Sequence, residues 1–125
     1  MEGRMGKYRV LLVDDEEELV TTLVERLEFR GIEAEATTSG HEALELLGRK
    51  SFQVAVIDLK MPGLSGLEVL EVIRRRYPEM KVLLTTGHGS TGEPDEAMPQ
   101  SAFDILLKPF NIDALIERIH AALGK

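Results

Sequence analysis

The sequence predicts an α/β fold, a parallel β-sheet covered by helices on both faces. Three observations carry that expectation. Apolar runs of strand length alternate with helix-length amphipathic segments along the whole chain. Most of those strands are apolar almost throughout, the pattern of strands buried on both faces, while a single run alternates apolar with acidic residues, as an edge strand does. Strict strand-helix alternation requires crossovers, and crossovers of this length make neighbouring strands parallel. With 125 residues, 43% of them hydrophobic, the chain has room for one core and no second domain. The expected unit is a single domain over 1–125, with its core at about 8–123.

Tyr8 to Val13 reads as the first strand. Leu19, Leu23 and Leu27, flanked by Val20 and Val24, form one helical stripe that Gly31 stops. Ile32, Ala34 and Ala36 alternate with Glu33 and Glu35, giving the edge strand. Ser39 with Glu42, and Ser65 with Glu68, fit the Ser-x-x-Glu capping box and place two helix starts. Val54 to Ile57 forms the strand between them, and Met61-Pro62-Gly63 a tight turn, with Pro fixing one central residue and Gly permitting a positive φ at the next. The second of these helices ends before Pro78 with Arg74, Arg75 and Arg76, cations that complement a helix dipole. Val82 to Leu84 and Phe103 to Leu107 are the last strands, and Ile112, Leu115, Ile116, Ile119 and Leu123 the last helical stripe. Five strands and about five helices result. The span between the last two strands suits a helix badly, because Pro94 and Pro99 interrupt it and Gly87, Gly89 and Gly92 loosen its start. Residues 87–101 are therefore expected to be short or irregular.

Composition narrows the function. A formal charge of −7 gives no general attraction for nucleic-acid phosphates or anionic lipid. There are no cysteines, no apolar run long enough to span a bilayer, and no signal-peptide pattern. The expectation is a cytoplasmic protein with no direct nucleic-acid or membrane partner.

In parallel sheets of this kind, chemistry gathers beyond the carboxyl ends of the strands. Reading off those ends gives Asp14 and Asp15 after the first strand, Asp58 after the third, Thr86 after the fourth and Lys108 after the fifth. Three carboxylates packed together raise one another's pKa and call for a compensating charge. Oxygen-only ligands, too few for a closed cage, favour Mg²⁺ that keeps several waters and shares its coordination with a phosphate. Lys108 would then contribute a cation to that phosphate, and the Thr86 hydroxyl a hydrogen bond. Thr85 beside Thr86 leaves a register alternative of one residue.

The acidic run Asp14 to Glu18 has two expected causes. Asp14 and Asp15 end a strand as ligands, whereas Glu16, Glu17 and Glu18 fall in the first turn of a helix, where negative charge is favourable. The alternative makes all five caps, with Asp15 as N-cap and Glu18 at its third position.

At these residues the sequence resembles the receiver domains of two-component response regulators. The resemblance rests on Asp14-Asp15, on "DLKMPGLSGLEVL" beginning at Asp58, on "TTGH" containing Thr86, and on "LKPF" containing Lys108 and Pro109, in matching order and spacing from about Tyr8 to Leu123. It implies a flavodoxin-like, doubly wound five-stranded sheet in the order 2-1-3-4-5. Asp58 would be the phosphoacceptor of a sensor histidine kinase or phosphotransfer protein. Asp15 and Asp58 would hold Mg²⁺ with the main-chain carbonyl of Lys60, and Asp14 would act through water. Thr86 and Lys108 would bind phosphoryl oxygens, helped by main-chain N–H groups of Leu59 and Gly87. Phosphorylation of Asp58 and its later reversal are the only reactions implied. The output would pass to a protein target or a homodimer through the face made by segment 87–101, the fifth strand and the last helix. Lys60 and His88, two residues past Asp58 and Thr86, occupy places where the family tunes water access, with plain solvent exposure as the alternative.

Other readings fit less well. A flavin carrier of the same architecture needs N–H donors and hydroxyls after its first strand, and a phosphatase an Asp-x-Asp pattern. The runner-up is a degenerate receiver that binds partners without phosphorylation. Ile105 stands where the family has a swinging aromatic, and the prolines of 87–101 depart from its pattern as well. His41 and His120 are assigned no role. The chain is read as a stand-alone regulator or a piece of a longer one.

Overall fold

The computed structural model describes residues 8–87 and 102–124. Residues 88–101 of the expected irregular segment, His88 among them, lie outside the described residues. Five strands form one sheet, β1 (Arg9–Val13), β2 (Glu33–Thr37), β3 (Val54–Asp58), β4 (Lys81–Thr86) and β5 (Asp104–Leu107). Their order is β2-β1-β3-β4-β5, and every pairing is parallel. Among the described residues there are four helices, α1 (Glu17–Phe29), α2 (Gly40–Leu47), α3 (Gly66–Arg76) and α4 (Ile112–Ala122).

Alternate residues along each strand face opposite ways, and two cores follow from that period of two. On one face Leu11, Val13, Ala55, Ile57, Val82 and Leu84 pack with Ala43 and Leu47 of α2 and with Val69, Leu70 and Ile73 of α3. On the other, Val10, Leu12, Val54, Val56, Leu83 and Leu106 meet Val20, Leu23 and Leu27 of α1 and Leu115 and Ile119 of α4. Both faces of β1, β3 and β4 are covered, which is why those strands carry no polar alternation. β2 is an edge strand, as its alternating acids predict. Each fully buried Leu, Ile or Val contributes roughly 1.5–3 kcal/mol through burial.

Helix ends follow the sequence signals with two differences. Ser65 caps α3 in a complete capping box, its hydroxyl accepting from Glu68 N–H while the Glu68 carboxylate accepts from Ser65 N–H at 2.9 Å. Ser39 accepts from Glu42 N–H at 3.1 Å, but the Glu42 carboxylate reaches Thr38 N–H instead of closing the box. The start of α1 is a correction: Glu16, not Asp15, is the N-cap residue, it makes no side-chain cap, and only Glu17 and Glu18 lie in the first turn. The reason is Asp14, whose Oδ1 accepts the Glu16 N–H at 2.9 Å and so draws the chain into the helix one residue later. Gly31 and Gly63 have φ of 83° and 76°, matching a helix stop and a turn that only glycine fits comfortably. The Lys108–Pro109 peptide is cis. No helix of the described residues is long and apolar enough to cross a membrane.

Candidate functional site

The carboxyl ends of β1, β3 and β4 and the turn after β5 converge at one end of the sheet. The register accounts for this, because Val13 pairs with Ile57, Asp58 with Thr85, and Thr86 with Leu107. Asp14 follows β1 directly, while Asp58 and Thr86 are the last residues of their strands. Asp14, Asp58, Thr85 and Thr86 are buried, and Asp15 is exposed. One carboxylate oxygen from each of Asp14, Asp15 and Asp58 lies within 4.8 Å of the other two.

Lys108 reaches into that acidic cluster. Its Nζ lies 2.6 Å from Asp14 Oδ2, 3.6 Å from Asp58 Oδ2 and 3.8 Å from Glu16 Oε1. The backbone fixes where it starts, since Lys108 N–H donates to Thr86 C=O at 2.8 Å, just as Leu59 N–H donates to Thr85 C=O at 2.9 Å beside Asp58.

Electrostatics follow from this packing. Burial pushes the Asp58 carboxyl up to about 6, and the Asp14 charge, with a smaller contribution from Asp15, pushes the same way. Lys108 and a main-chain hydrogen bond from Lys60 oppose the rise without cancelling it. For Lys108, burial works against the ammonium, but its bond to Asp14 and the charges of Asp58, Asp14 and Glu16 outweigh that and raise its pKa. The site holds excess negative charge around a poorly solvated carboxyl, an arrangement that favours a further cation.

Of the residues singled out in the sequence, Asp14, Asp15, Asp58 and Lys108 are brought into one cluster. Thr86 flanks it from the end of β4. Lys60 is exposed and touches the cluster through its main chain. One contributor had no advance signal of its role, Gly66, whose close approach to Asp58 is a tertiary matter.

A family model described as the response regulator receiver domain matches residues 10–120. The chain belongs to that family. Among curated relatives, this receiver is 41% identical to the response regulator protein FleR of Pseudomonas aeruginosa over 94% of its own length and 25% of that protein's. It is 38% identical to the DNA-binding transcriptional regulator NtrC of Escherichia coli, over 91% of this chain and 25% of that one. The receiver thus spans about a quarter of the length of these relatives. Among solved structures, it resembles a CheY-like response regulator receiver domain protein of Methanospirillum hungatei with a TM-score of 0.86 at 30% identity, covering 95% of each chain. A receiver domain from Clostridium thermocellum gives 0.84 at 33% identity, covering 94% of each.

Proposed function

We propose that this receiver accepts a phosphoryl group on Asp58 from a histidine kinase or phosphotransfer protein and, once phosphorylated, changes its protein contacts. One observation carries the reading: a single ammonium, Lys108, stands within 2.6 Å of Asp14 and 3.6 Å of Asp58 at the mouth of a three-carboxylate cluster. Ion pairs that only stabilise a fold rarely concentrate three acids around one base at the open end of a parallel sheet.

The donor set fits Mg²⁺. Asp15 and Asp58 with the Lys60 carbonyl would hold it, with Asp14 acting through water, and the oxygens available are hard and too few to displace all of its waters. When bound, the ion would neutralise charge on the phosphoryl oxygens.

The chain's own groups then have distinct tasks. An Asp58 oxygen attacks phosphorus, the donor's P–N bond breaks as the new P–O bond forms, and the imidazole leaves with the bonding pair. Asp58 is ionised at neutral pH despite its raised pKa, so it needs no base. Lys108 takes one equatorial oxygen and Thr86 donates its hydroxyl to another. Asp14 holds Lys108 in the meantime. Hydrolysis later returns the carboxylate when water attacks phosphorus, the P–O bond to Asp58 breaks with its electron pair left on the carboxylate, and inorganic phosphate leaves. A single domain over 1–125, working in the cytoplasm, completes the reading.

Incubation with a small phosphodonor such as acetyl phosphate tests it. Mg²⁺-dependent uptake that disappears in Asp58→Asn is expected. Uptake that persists in Asp58→Asn or in excess chelator refutes Asp58 as the acceptor, and no uptake by the wild type favours the phosphorylation-independent interaction module.

A further inference from the structure

We propose that Gly66 is a positioning residue for Asp58: the first turn of α3 bears directly on the Asp58 carbonyl, and the missing side chain at position 66 sets the height of the acceptor. The inference rests on Asp58 being the acceptor and adds the element that holds it in place.

Gly66 is the first residue of α3 and is buried. Its backbone does not need glycine, because it is not among the described glycines with positive φ. Space needs it. A Cβ at position 66 would lie 2.1 Å from the Asp58 carbonyl oxygen, 2.9 Å from the Asp58 carbonyl carbon and 2.9 Å from Leu59 Cα. All three are backbone atoms, so no rotamer change can relieve the clash. Either α3 or the Asp58–Leu59 peptide must move.

The fold decides which. α3 is anchored by Val69, Leu70 and Ile73, none more than 2% exposed, and its start is tied by the Ser65–Glu68 capping box. Asp58 ends its strand, and the peptide beyond it is held by Leu59 N–H to Thr85 C=O and Gly66 N–H to Leu59 C=O, at 2.9 and 3.3 Å. The peptide is the softer partner. Its displacement swings the Asp58 carboxylate away from Asp14, Asp15 and Lys108.

Gly40, the first residue of α2, is the matched comparison. It is buried and crowded too, but the three atoms nearest a Cβ there, Leu64 Cβ, Leu64 O and Val69 Cγ2, each at 2.9 Å, do not belong to Asp58.

The test compares wild type, Gly66→Ala, Gly40→Ala and Gly66→Ala/Val69→Ala. All four are measured in trimethylamine N-oxide, which supports variants that fold poorly in buffer. Readouts are the Leu59 amide shift in metal-free protein, Mg²⁺ affinity, and phosphoryl uptake from acetyl phosphate. Gly66→Ala is expected to move the Leu59 amide, weaken Mg²⁺ binding and slow uptake about tenfold or more, while Gly40→Ala leaves all three near wild type. Val69→Ala loosens α3, so the double variant is expected to recover uptake while losing further stability, opposite signs that a purely structural defect would not give. An unmoved Leu59 amide, or equal losses in Gly66→Ala and Gly40→Ala, overturns the inference. If the wild type takes up no phosphoryl group, the proposed function fails, and the Leu59 amide still decides the role of Gly66.

Discussion

The Lys108 ammonium sits 2.6 Å from Asp14 and a full ångström farther, 3.6 Å, from Asp58. The lysine is therefore held by the carboxylate that also starts α1, because Asp14 uses its other oxygen to accept the Glu16 N–H. A phosphoryl group on Asp58 would bring new oxygens into reach of an ammonium already poised beside it.

Lys108→Ala is expected to retain Mg²⁺ binding, since it removes no ligand, and to lose the structural response to a phosphoryl mimic such as beryllofluoride. In chelator it should also destabilise the fold by on the order of 3 kcal/mol, because buried carboxylates are left without their cation. Amide spectra with and without the mimic check the first part and urea unfolding the second. A wild-type response in the variant would rule out Lys108 as the link.

The raised Asp58 pKa makes the metal-free protein pH-sensitive. A carboxyl whose folded value, about 6, exceeds its ordinary 3.8 binds its proton more tightly in the native state. That contribution is fully present below the unfolded value and is lost as pH climbs through the folded one. Metal-free protein should therefore lose about 1 kcal/mol between pH 5 and pH 7 from this group, after allowance for solvent screening. Asp58→Asn should remove that part of the slope and be the more stable protein at pH 7. Urea midpoints in chelator at the two pH values measure it, and parallel curves for both proteins would contradict it.

The two capping serines should behave differently toward their glutamates. Glu68→Ala breaks a closed box and is expected to cost roughly 0.5–1 kcal/mol. Glu42→Ala, whose contact with Thr38 is 3.4 Å long and exposed, should cost little. Denaturation midpoints of the two variants compare them directly.

Much of this was legible in the sequence for identifiable reasons. Strand burial on both faces erases polar alternation, so the central strands announced themselves, and the acids of β2 marked its edge. Asp58, Thr86 and Lys108 stood out because a parallel sheet brings strand ends together regardless of sequence separation. What stayed hidden depended on contacts between distant residues. His120 carried no pattern, yet its Nε2 lies 2.7 Å from the Tyr8 hydroxyl at the other end of the chain. Glu16 is the local exception, its N–H bonded to Asp14 two residues earlier, one of several turns that a run of five acids allows. Gly66 carries no local signal, because its close neighbour is the carbonyl of Asp58, which a turn and a helix start separate from it.

Trapping the phosphoryl group where it lands tests the central claim most directly. Borohydride reduces an aspartyl phosphate to homoserine, so protein phosphorylated with Mg²⁺ and acetyl phosphate, reduced and fragmented, reports the acceptor by mass. Homoserine is predicted at position 58 alone, and absent when Mg²⁺ is withheld. Homoserine at Asp14 or Asp15, or at no position in protein that has demonstrably bound Mg²⁺, would contradict Asp58 as the acceptor.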